Sequence, residues 1–298
     1  MSALRTALLP ALFVLLWSSG YAACKAAVLH AGSFTVLSLR CAGALLLLTL
    51  IAWLSRAPWP RQPVQWLHLT IAGVLIHALY LGINFHAAAD GFPVGITALI
   101  GALQPLATAL AAAVWLKEPV RAREWAGLAI GLAGVFLVLS DRVAFDWARL
   151  PQASGIGFAM LCLTAGTLYQ KRFCGFMDWR TGLAVQLIVP TAILLAGAVS
   201  LESFTFDPQP QFLGAIVWLI ALSSAVYGLL HALFKRGASA SAASLLYLVP
   251  VATSTFMYLM FDERLGGLAI GGMGLTIAGV ASAQMRAAPL TRATRAAS

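Results

Sequence analysis

Apolar runs of about 20 residues, long enough for an α-helix to cross the hydrocarbon core of a bilayer, alternate with short polar breaks along the chain. The pattern predicts an all-α membrane protein with ten transmembrane helices. The expected spans are 8–27, 33–54, 66–88, 94–116, 123–140, 154–173, 181–201, 211–234, 240–261 and 266–285.

One stretch of this pattern occurs twice. Residues 86–135 align without a gap on residues 231–280, and many identical positions follow at that offset. Each copy has an apolar helix with a proline at its middle (Pro105 and Pro250), an acidic turn and a Gly-rich apolar helix. Self-similarity at a fixed offset indicates an internal duplication.

The duplication predicts the topology of the chain in the membrane. We divide the chain into repeats 1–146 and 147–298, each with five expected spans. Because five is odd, the repeats must lie antiparallel, as an inverted repeat about a pseudo-two-fold axis in the membrane plane. This plan recurs in secondary transporters, with the substrate site between the repeats. We therefore expect a 5+5 bundle around a central cavity.

Composition and charge agree with a membrane location. The 298 residues are 61% hydrophobic and 10% charged, whereas a soluble domain has roughly 25% charged residues. The net charge of +9 is read as basic residues kept in cytoplasmic segments, and no nucleic-acid partner is expected. With the N-terminus inside, cytoplasmic segments hold 14 of the 19 Lys and Arg residues. Both termini are therefore expected to be cytoplasmic.

The polar residue types exclude several chemistries. The four cysteines form no CxxC pair, so neither a metal site nor a cofactor is expected. Every acidic residue maps to a loop or a span end, whereas a proton-coupled exporter of cationic drugs usually needs a carboxylate at mid-membrane. A neutral or zwitterionic substrate is therefore favoured. Glu118 and Glu263, in equivalent turns, are interpreted as structural anchors rather than gates.

The two central prolines are expected to act as hinges. A proline inside a helix removes one backbone hydrogen bond and frees the carbonyl four residues earlier, here at Gly101 and Leu246. Pro105 and Pro250 are either packing kinks or bends that line a central cavity. Because both repeats carry the break, the second interpretation is favoured.

Polar and aromatic side chains at membrane depth should face inward, because lipid cannot satisfy their hydrogen bonds. His77, Tyr80 and Asn84 follow at i, i+3 and i+7, which places them on one face of an α-helix. With their neighbours they predict an aromatic-walled cavity, although helix–helix hydrogen bonding is the alternative role for each. The expected substrate-binding residues are Trp17, Tyr21, His77, Tyr80, Asn84, Gln104, Tyr169, Tyr227, His231 and Tyr247.

For each of four basic side chains, the sequence is compatible with two roles. Lys25, Lys171 and Arg40 either extend toward lipid headgroups or meet a substrate carboxylate. His86 either packs against a neighbouring helix or takes part in proton transfer.

Small residues recur at helical spacing in two spans. The motifs Gly127-xxx-Gly131 and Gly267-xxx-Gly271 allow close helix contact. We expect this contact within the bundle rather than between two copies, so a monomer is favoured over a homodimer.

These motifs together resemble the bacterial drug/metabolite transporter superfamily, in its ten-helix EamA-type form. The resemblance is carried by the doubled proline-centred helix (98–116 and 243–261), by the acidic turns that follow, and by the endings Ala133-Gly134-Val135 and Ala278-Gly279-Val280. The aromatic cavity without a buried carboxylate is similar to the YddG-like exporters of aromatic amino acids. The resemblance implies a bundle in the bacterial inner membrane with a central cavity.

The expected function is the export of small metabolites, aromatic and other neutral amino acids foremost, by alternating access. A drug or nucleoside-type exporter of the same fold is the alternative within the transporter class. An intramembrane enzyme is the alternative from another class, and it is disfavoured on two grounds. No two aspartates lie at mid-membrane, and the nearest serine candidate, Ser239, lies in an expected loop.

Overall fold

A computed structural model describes residues 3–92, 94–139, 149–236, 243–261 and 266–284. In these ranges the backbone forms helices and turns, and the one strand-type bridge joins Ala31 to Phe206. The prediction of an all-helical protein is confirmed for the described residues. Five of the described helical stretches are long and apolar enough to cross a bilayer: Ser33–Leu54, Pro63–Ala89, Leu99–Leu116, Ala122–Leu139 and Trp179–Glu202.

The described residues up to 139 form six helices. The third contains a π-helical stretch at Val74–Tyr80, and the fifth continues into a π-helical stretch at Ala112–Leu116. The helices are α1 (Ala3–Val28), α2 (Ser33–Leu54), α3 (Pro63–Ala89), α4 (Val94–Gly101), α5 (Gln104–Ala111) and α6 (Ala122–Leu139).

The described residues from 149 onward form five more α-helices. A short 3₁₀ turn, Leu245–Tyr247, precedes the fourth of them. The helices are α7 (Leu150–Phe173), α8 (Trp179–Glu202), α9 (Pro210–Arg236), α10 (Leu248–Phe261) and α11 (Gly267–Gln284).

The helices contact one another in reciprocal pairs. α2 packs along α8 and α6 packs along α11, so each of these helices meets the helix that the predicted repeat makes its counterpart. α1 packs against α9 and α10, while its counterpart α7 packs against α3, α4 and α5. Likewise α9 contacts α2, and α3 contacts α8. The core of the molecule therefore lies between the two halves of the chain.

Carboxylates fix the ends of the paired helices α2 and α8. The Glu202 carboxylate, at the end of α8, accepts hydrogen bonds from the backbone N–H groups of Phe34 and Thr35 at 2.9 and 2.8 Å. These groups lie in the first turn of α2, where no carbonyl of the helix can reach them. At the start of α8, the side-chain hydrogen bond from Arg180 lowers the pKa of the Asp178 carboxyl, which also caps the helix.

Glycines allow α6 and α11 to touch backbone to backbone. A Cβ atom at Gly127 would lie 2.7 Å from the Gly279 carbonyl oxygen, and one at Gly134 would lie 2.7 Å from that of Gly272. The expected close contact at Gly127 and Gly131 is therefore confirmed, and it lies within the chain. The prediction for α11 is wrong: Cβ atoms at Gly267 and Gly271 would meet open space. The contact face of α11 runs through Gly272 and Gly279 instead, because only that side of the helix faces α6.

Candidate substrate site

Both central prolines lie just after a break in the helix. α4 ends at Gly101 and α5 begins at Gln104, so Pro105 is in the first turn of a new helix. Pro250 is also in the first turn of its helix, as the third residue of α10, which begins directly after the 3₁₀ turn. A proline there has no backbone hydrogen bond to lose. The expected interruptions exist, but the helix ends before the proline rather than bending at it.

Tyr169 lies in an aromatic cluster at one end of the bundle. Its hydroxyl is 2.7 Å from His68 Nδ1, and its ring centroid is 4.7 Å from that of Phe173. The rings of His68 and Phe173 stack at 5.0 Å, and Trp115 lies 6.3 Å from Tyr169. These four residues come from α3, the end of the π-helical stretch after α5, and α7, so the aromatic cluster joins three elements.

An ion pair lies beside this aromatic cluster. Lys171 Nζ is 2.8 Å from the Glu118 carboxylate, and both side chains are largely buried. Lys171 therefore pairs with a carboxylate of the protein, which is a role that the sequence alternatives did not include. Burial raises the pKa of the nearby Cys174 thiol to about 12. The ion pair and the aromatic cluster together link α3, α7 and the segment that follows α5 at this end of the helix bundle.

The expected alignment of His77, Tyr80 and Asn84 on one face assumes α-helical spacing from residue 77 to residue 84. Val74–Tyr80 is π-helical, and its i→i+5 hydrogen bonds change the angle between successive side chains. His77 is buried at 2% exposure, whereas Tyr80 and Asn84 are half-buried. Asn84 Nδ2 donates to the Tyr80 carbonyl at 2.7 Å, so this amide is bound to its own helix.

The other described candidates are Trp17, Gln104 and Tyr247. Trp17 is half-buried with its ring 5.3 Å from Phe13, and Gln104 is buried beside the break. Tyr247 is fully buried and its ring lies against Gly131 of α6. Its hydroxyl has no hydrogen-bond partner among the described residues. Tyr247 therefore packs beside α6 and belongs to the main apolar cluster, on which Trp17 and Tyr80 also pack.

Several expected residues fall outside the described part of the structure. The backbones of Tyr21, Tyr227 and His231 lie in α1 and α9, but their side chains are not described, and the same holds for Lys25. Glu263 and Ser239 lie outside the described residues altogether. His86, for which the sequence left two roles, is among the described residues. Its side chain is 59% exposed, and its Nε2 lies 3.6 Å from the Asp90 carboxylate.

The sequence analysis missed two polar residues and left the role of a third undecided. Two of the three lie in the interior and one lies in the aromatic cluster. Arg40 is only 9% exposed and its Nε donates to Ser223 Oγ at 2.6 Å, so it does not extend toward lipid headgroups. Ser223 and His68 were not among the candidates. A depth argument applied to every polar residue, rather than to the aromatic ones and their neighbours, would have found Arg40 and Ser223.

Apolar helices long enough to cross a bilayer, breaks at matching prolines and a polar group buried between the two halves define a class of protein, the multi-pass membrane transporters. The profile of the EamA-like transporter family matches the chain twice, over residues 4–140 and 154–283. Since these matches cover most of the chain, it belongs to the EamA-like transporter family. This family consists of transporters rather than enzymes.

Known proteins similar to the chain agree with this assignment. It is 26% identical over 267 residues to the "Uncharacterized transporter YvbV" of Bacillus subtilis (strain 168), covering 85% of this chain and 84% of that protein. It is 24% identical over 240 residues to the "Probable amino-acid metabolite efflux pump" of Escherichia coli (strain K12), covering 74% of this chain and 77% of the pump. A solved structure described as "Crystal structure of protein" is 20% identical, with a TM-score of 0.80 over 94% of this chain and 98% of its own. That likeness establishes the fold.

Proposed function

We propose that the chain is a secondary transporter of the bacterial inner membrane that exports small metabolites, foremost aromatic and other neutral amino acids, by alternating access. The observation that carries the proposal is the core between the two halves, which contains a buried arginine, in a chain whose two central prolines each follow an interruption of the α-helix. The likeness to the amino-acid metabolite efflux pump of Escherichia coli supports the substrate class. A placement in the YddG-like branch of the family belongs to the same proposal.

The proposed architecture is ten spans in a 5+5 inverted repeat, with repeats 1–146 and 147–298. Two observations support it. The EamA-like profile matches each half separately. The helix contacts are also reciprocal: α1 meets α9 and α10 in the way that α7 meets α3, α4 and α5. A pseudo-two-fold axis between the halves accounts for both observations, and it places the substrate site on that axis.

Alternating access requires one end of the bundle to be closed while the other is open. We propose that the aromatic cluster and the Lys171–Glu118 ion pair form the closed end. We propose that this end opens when α4 and α5 move relative to each other at the break before Pro105, with Pro250 as the matching hinge. Loop or element-terminal positions that take up backbone rotation are the usual hinges of such motions.

The substrate is proposed to bind between the two hinges. Aromatic rings would contact an apolar or aromatic side chain, and amide and hydroxyl groups would take the polar groups. No cofactor and no second copy of the chain is required. The residues proposed to contact the substrate are Trp17, Tyr21, His77, Tyr80, Asn84, Gln104, Tyr169, Tyr227, His231 and Tyr247.

A transport assay tests the proposal. Purified protein in liposomes should move radiolabelled phenylalanine, tryptophan or leucine in a saturable way, above the flux through protein-free liposomes. If none of these amino acids moves, the substrate class is wrong. Competition by cationic dyes but not by amino acids would instead favour a drug exporter of the same fold.

A pair of tryptophan variants tests the substrate site. Trp17→Ala should raise the KM for phenylalanine by about threefold to tenfold, the effect expected for the loss of one aromatic contact. Trp53→Ala removes a tryptophan that is 72% exposed on α2 and should leave the KM unchanged. Equal effects of the two changes would contradict a substrate contact at Trp17.

A further inference from the structure

Arg40 is a cation buried inside the helix bundle. It lies two turns into α2, about 10 Å along the helix from its first residue, and it is only 9% exposed. The neighbouring Leu37 and Cys41 belong to the main apolar cluster of the molecule. Trp17 and Tyr80, two of the proposed substrate contacts, pack on that same cluster. The neighbours of Arg40 on α2 and these two aromatic rings therefore belong to the same apolar cluster, which extends through most of the described helices.

Three helices other than α2 surround the guanidinium. Ser223 on α9 accepts the hydrogen bond from Nε of Arg40, and the Ser223 hydroxyl in turn donates to the Leu219 carbonyl at 2.6 Å. Cys24 on α1 and His77 on α3 lie within electrostatic range of the charge. The bond to Ser223 fixes the orientation of the guanidinium. In the described part of the chain, the N–H groups on its two Nη atoms are left for another acceptor.

No carboxylate in the described ranges is that acceptor. Each one is engaged at a helix end: Asp90 near His86, Glu118 with Lys171, Glu124 with the Arg121 N–H, Asp178 with Arg180, Glu202 with the first turn of α2, and Asp207 near His30. A cation inside a membrane protein is costly without a counter-charge, and such residues mark the paths of substrates and ions. The counter-charge of Arg40 is therefore expected to come from a ligand.

We infer that Arg40 binds the carboxylate of the transported molecule, so that the site selects metabolites that carry a carboxylate. A planar guanidinium donates two parallel hydrogen bonds to a carboxylate, an arrangement that an amine or a cationic dye cannot form. Trp17 and Tyr80 then contact the remainder of the substrate. The inference rests on the proposed transport function and adds to it the substrate class and the residue that recognises it.

The test compares phenylalanine with phenylalaninamide, in which a neutral amide replaces the carboxylate. Wild-type protein in liposomes should transport phenylalanine in preference to the amide. Arg40→Gln should raise the KM for phenylalanine about tenfold to a hundredfold, the effect of losing hydrogen bonds between charged groups, and leave transport of the amide unchanged. Arg61→Gln, the same change at an exposed position before α3, is the matched control and should behave as wild type. Equal selectivity in Arg40→Gln and wild type would overturn the inference.

A binding measurement separates the failure of this inference from the failure of the transport function. In detergent, phenylacetate should raise the melting temperature of the wild type and phenylacetamide should not, whereas neither should stabilise Arg40→Gln. If the liposomes move no substrate but phenylacetate stabilises the wild type through Arg40, the transport proposal fails and the carboxylate site stands. If phenylacetate does not stabilise the wild type, the inference itself is wrong.

A second variant covers the case in which Arg40→Gln does not fold. Arg40→Lys keeps the positive charge but lacks the planar pair of donors, so it should weaken phenylacetate binding by about tenfold. Unchanged phenylacetate binding in Arg40→Lys would show that no bidentate contact exists at this position.

Discussion

At the scale of single residues, the described carboxylates form their hydrogen bonds and ion pairs at or near the ends of helices. Glu202 has the most complete role: it accepts from two backbone N–H groups of α2 and from the Thr35 hydroxyl at 2.9 Å. Gly32 precedes α2 because any Cβ there would collide with the Glu202 carboxyl group. One carboxylate thus ties the end of α8 to the start of α2, and it fixes the geometry of the long α2–α8 pair.

Removing this cap should destabilise the protein. Glu202→Ala leaves the N–H groups of Phe34 and Thr35 without their acceptor, so we expect a loss of about 0.5–2 kcal/mol, the range measured for N-terminal caps. The measurement is thermal unfolding of the purified protein in detergent. Gln211→Ala, at an exposed position near the start of α9, is the control and should leave the melting temperature unchanged. A Glu202→Ala protein as stable as the control would contradict the capping role.

The sequence predicted the positions of acidic residues better than the roles of basic ones. All acidic residues were expected at loops or span ends, and those in the described ranges lie there, because lipid cannot solvate a carboxylate. Arg40 and Lys171 were left with two roles each, since hydropathy gives the depth of a residue but not its facing direction. The facing direction depends on which helix lies opposite: α9 supplies Ser223 to Arg40, and the turn after α5 supplies Glu118 to Lys171.

At the scale of helices, two buried prolines differ in their effect on the backbone. Pro105 follows a break between α4 and α5, whereas Pro190 lies inside the continuous helix α8. Pro105→Ala restores an N–H that can bond to the carbonyl four residues earlier, which favours joining α4 to α5. If the break is a hinge, transport should slow by about tenfold while the protein still folds.

The matched variant Pro190→Ala should change the transport rate far less, because the helix around Pro190 is continuous. The initial rate of phenylalanine efflux from liposomes is the measurement, and gel filtration checks that both variants are folded. Equal slowing in the two variants would show that the break before Pro105 is not a hinge.

The contact between α6 and α11 provides a second prediction at this scale. Gly134→Ala places a Cβ against the Gly272 carbonyl and forces the two backbones apart, so it should destabilise the protein by about 1–3 kcal/mol. Gly271→Ala is the control: it lies one residue from Gly272 but points into open space and should be tolerated. Thermal unfolding in detergent compares the two. A Gly134→Ala variant as stable as Gly271→Ala would contradict the backbone contact.

Hydropathy predicted the positions of the helices but not which segments are π-helical. The span 33–54 coincides with α2, and the span 123–140 lies within one residue of α6 at both ends. The π-helical stretch Val74–Tyr80 could not be predicted, because it depends on neighbours from distant parts of the sequence. It begins directly after Gly73, where α3 lies against the Gln186 backbone of α8, and Ile76 within it packs against α7 at Gly166.

At the scale of the whole molecule, contacts between loops show which helix ends lie next to each other. The turn after α1 touches the turn after α8, through the Ala31–Phe206 bridge and the approach of His30 to Asp207. The turn after α2 touches the start of α8, where Thr181 donates to the Pro58 carbonyl at 2.8 Å. With five spans in each half, the turns after α1 and α8 lie on the same side of the membrane. The contact between these two turns agrees with that arrangement.

Cysteine labelling tests both the antiparallel arrangement and its direction. Leu29 and Gly175 lie in the turns after α1 and α7, and both are exposed. These turns are equivalent in the two proposed repeats. An inverted repeat places equivalent turns on opposite faces of the membrane, and the distribution of Lys and Arg places Leu29 outside. In a variant with the four native cysteines replaced by alanine, an impermeant maleimide should label Leu29→Cys in intact cells. It should label Gly175→Cys only after the cells are opened.

Two further positions make the labelling result independent of a single turn. Thr205→Cys should behave as Leu29→Cys, because the bridge between Ala31 and Phe206 holds the two turns together. Gln62→Cys, in the turn after α2, should behave as Gly175→Cys. Labelling of Leu29→Cys and Gly175→Cys from the same side would mean that the repeats are parallel. A substrate site on an axis in the membrane plane would then be impossible, and the alternating-access proposal would fail with it.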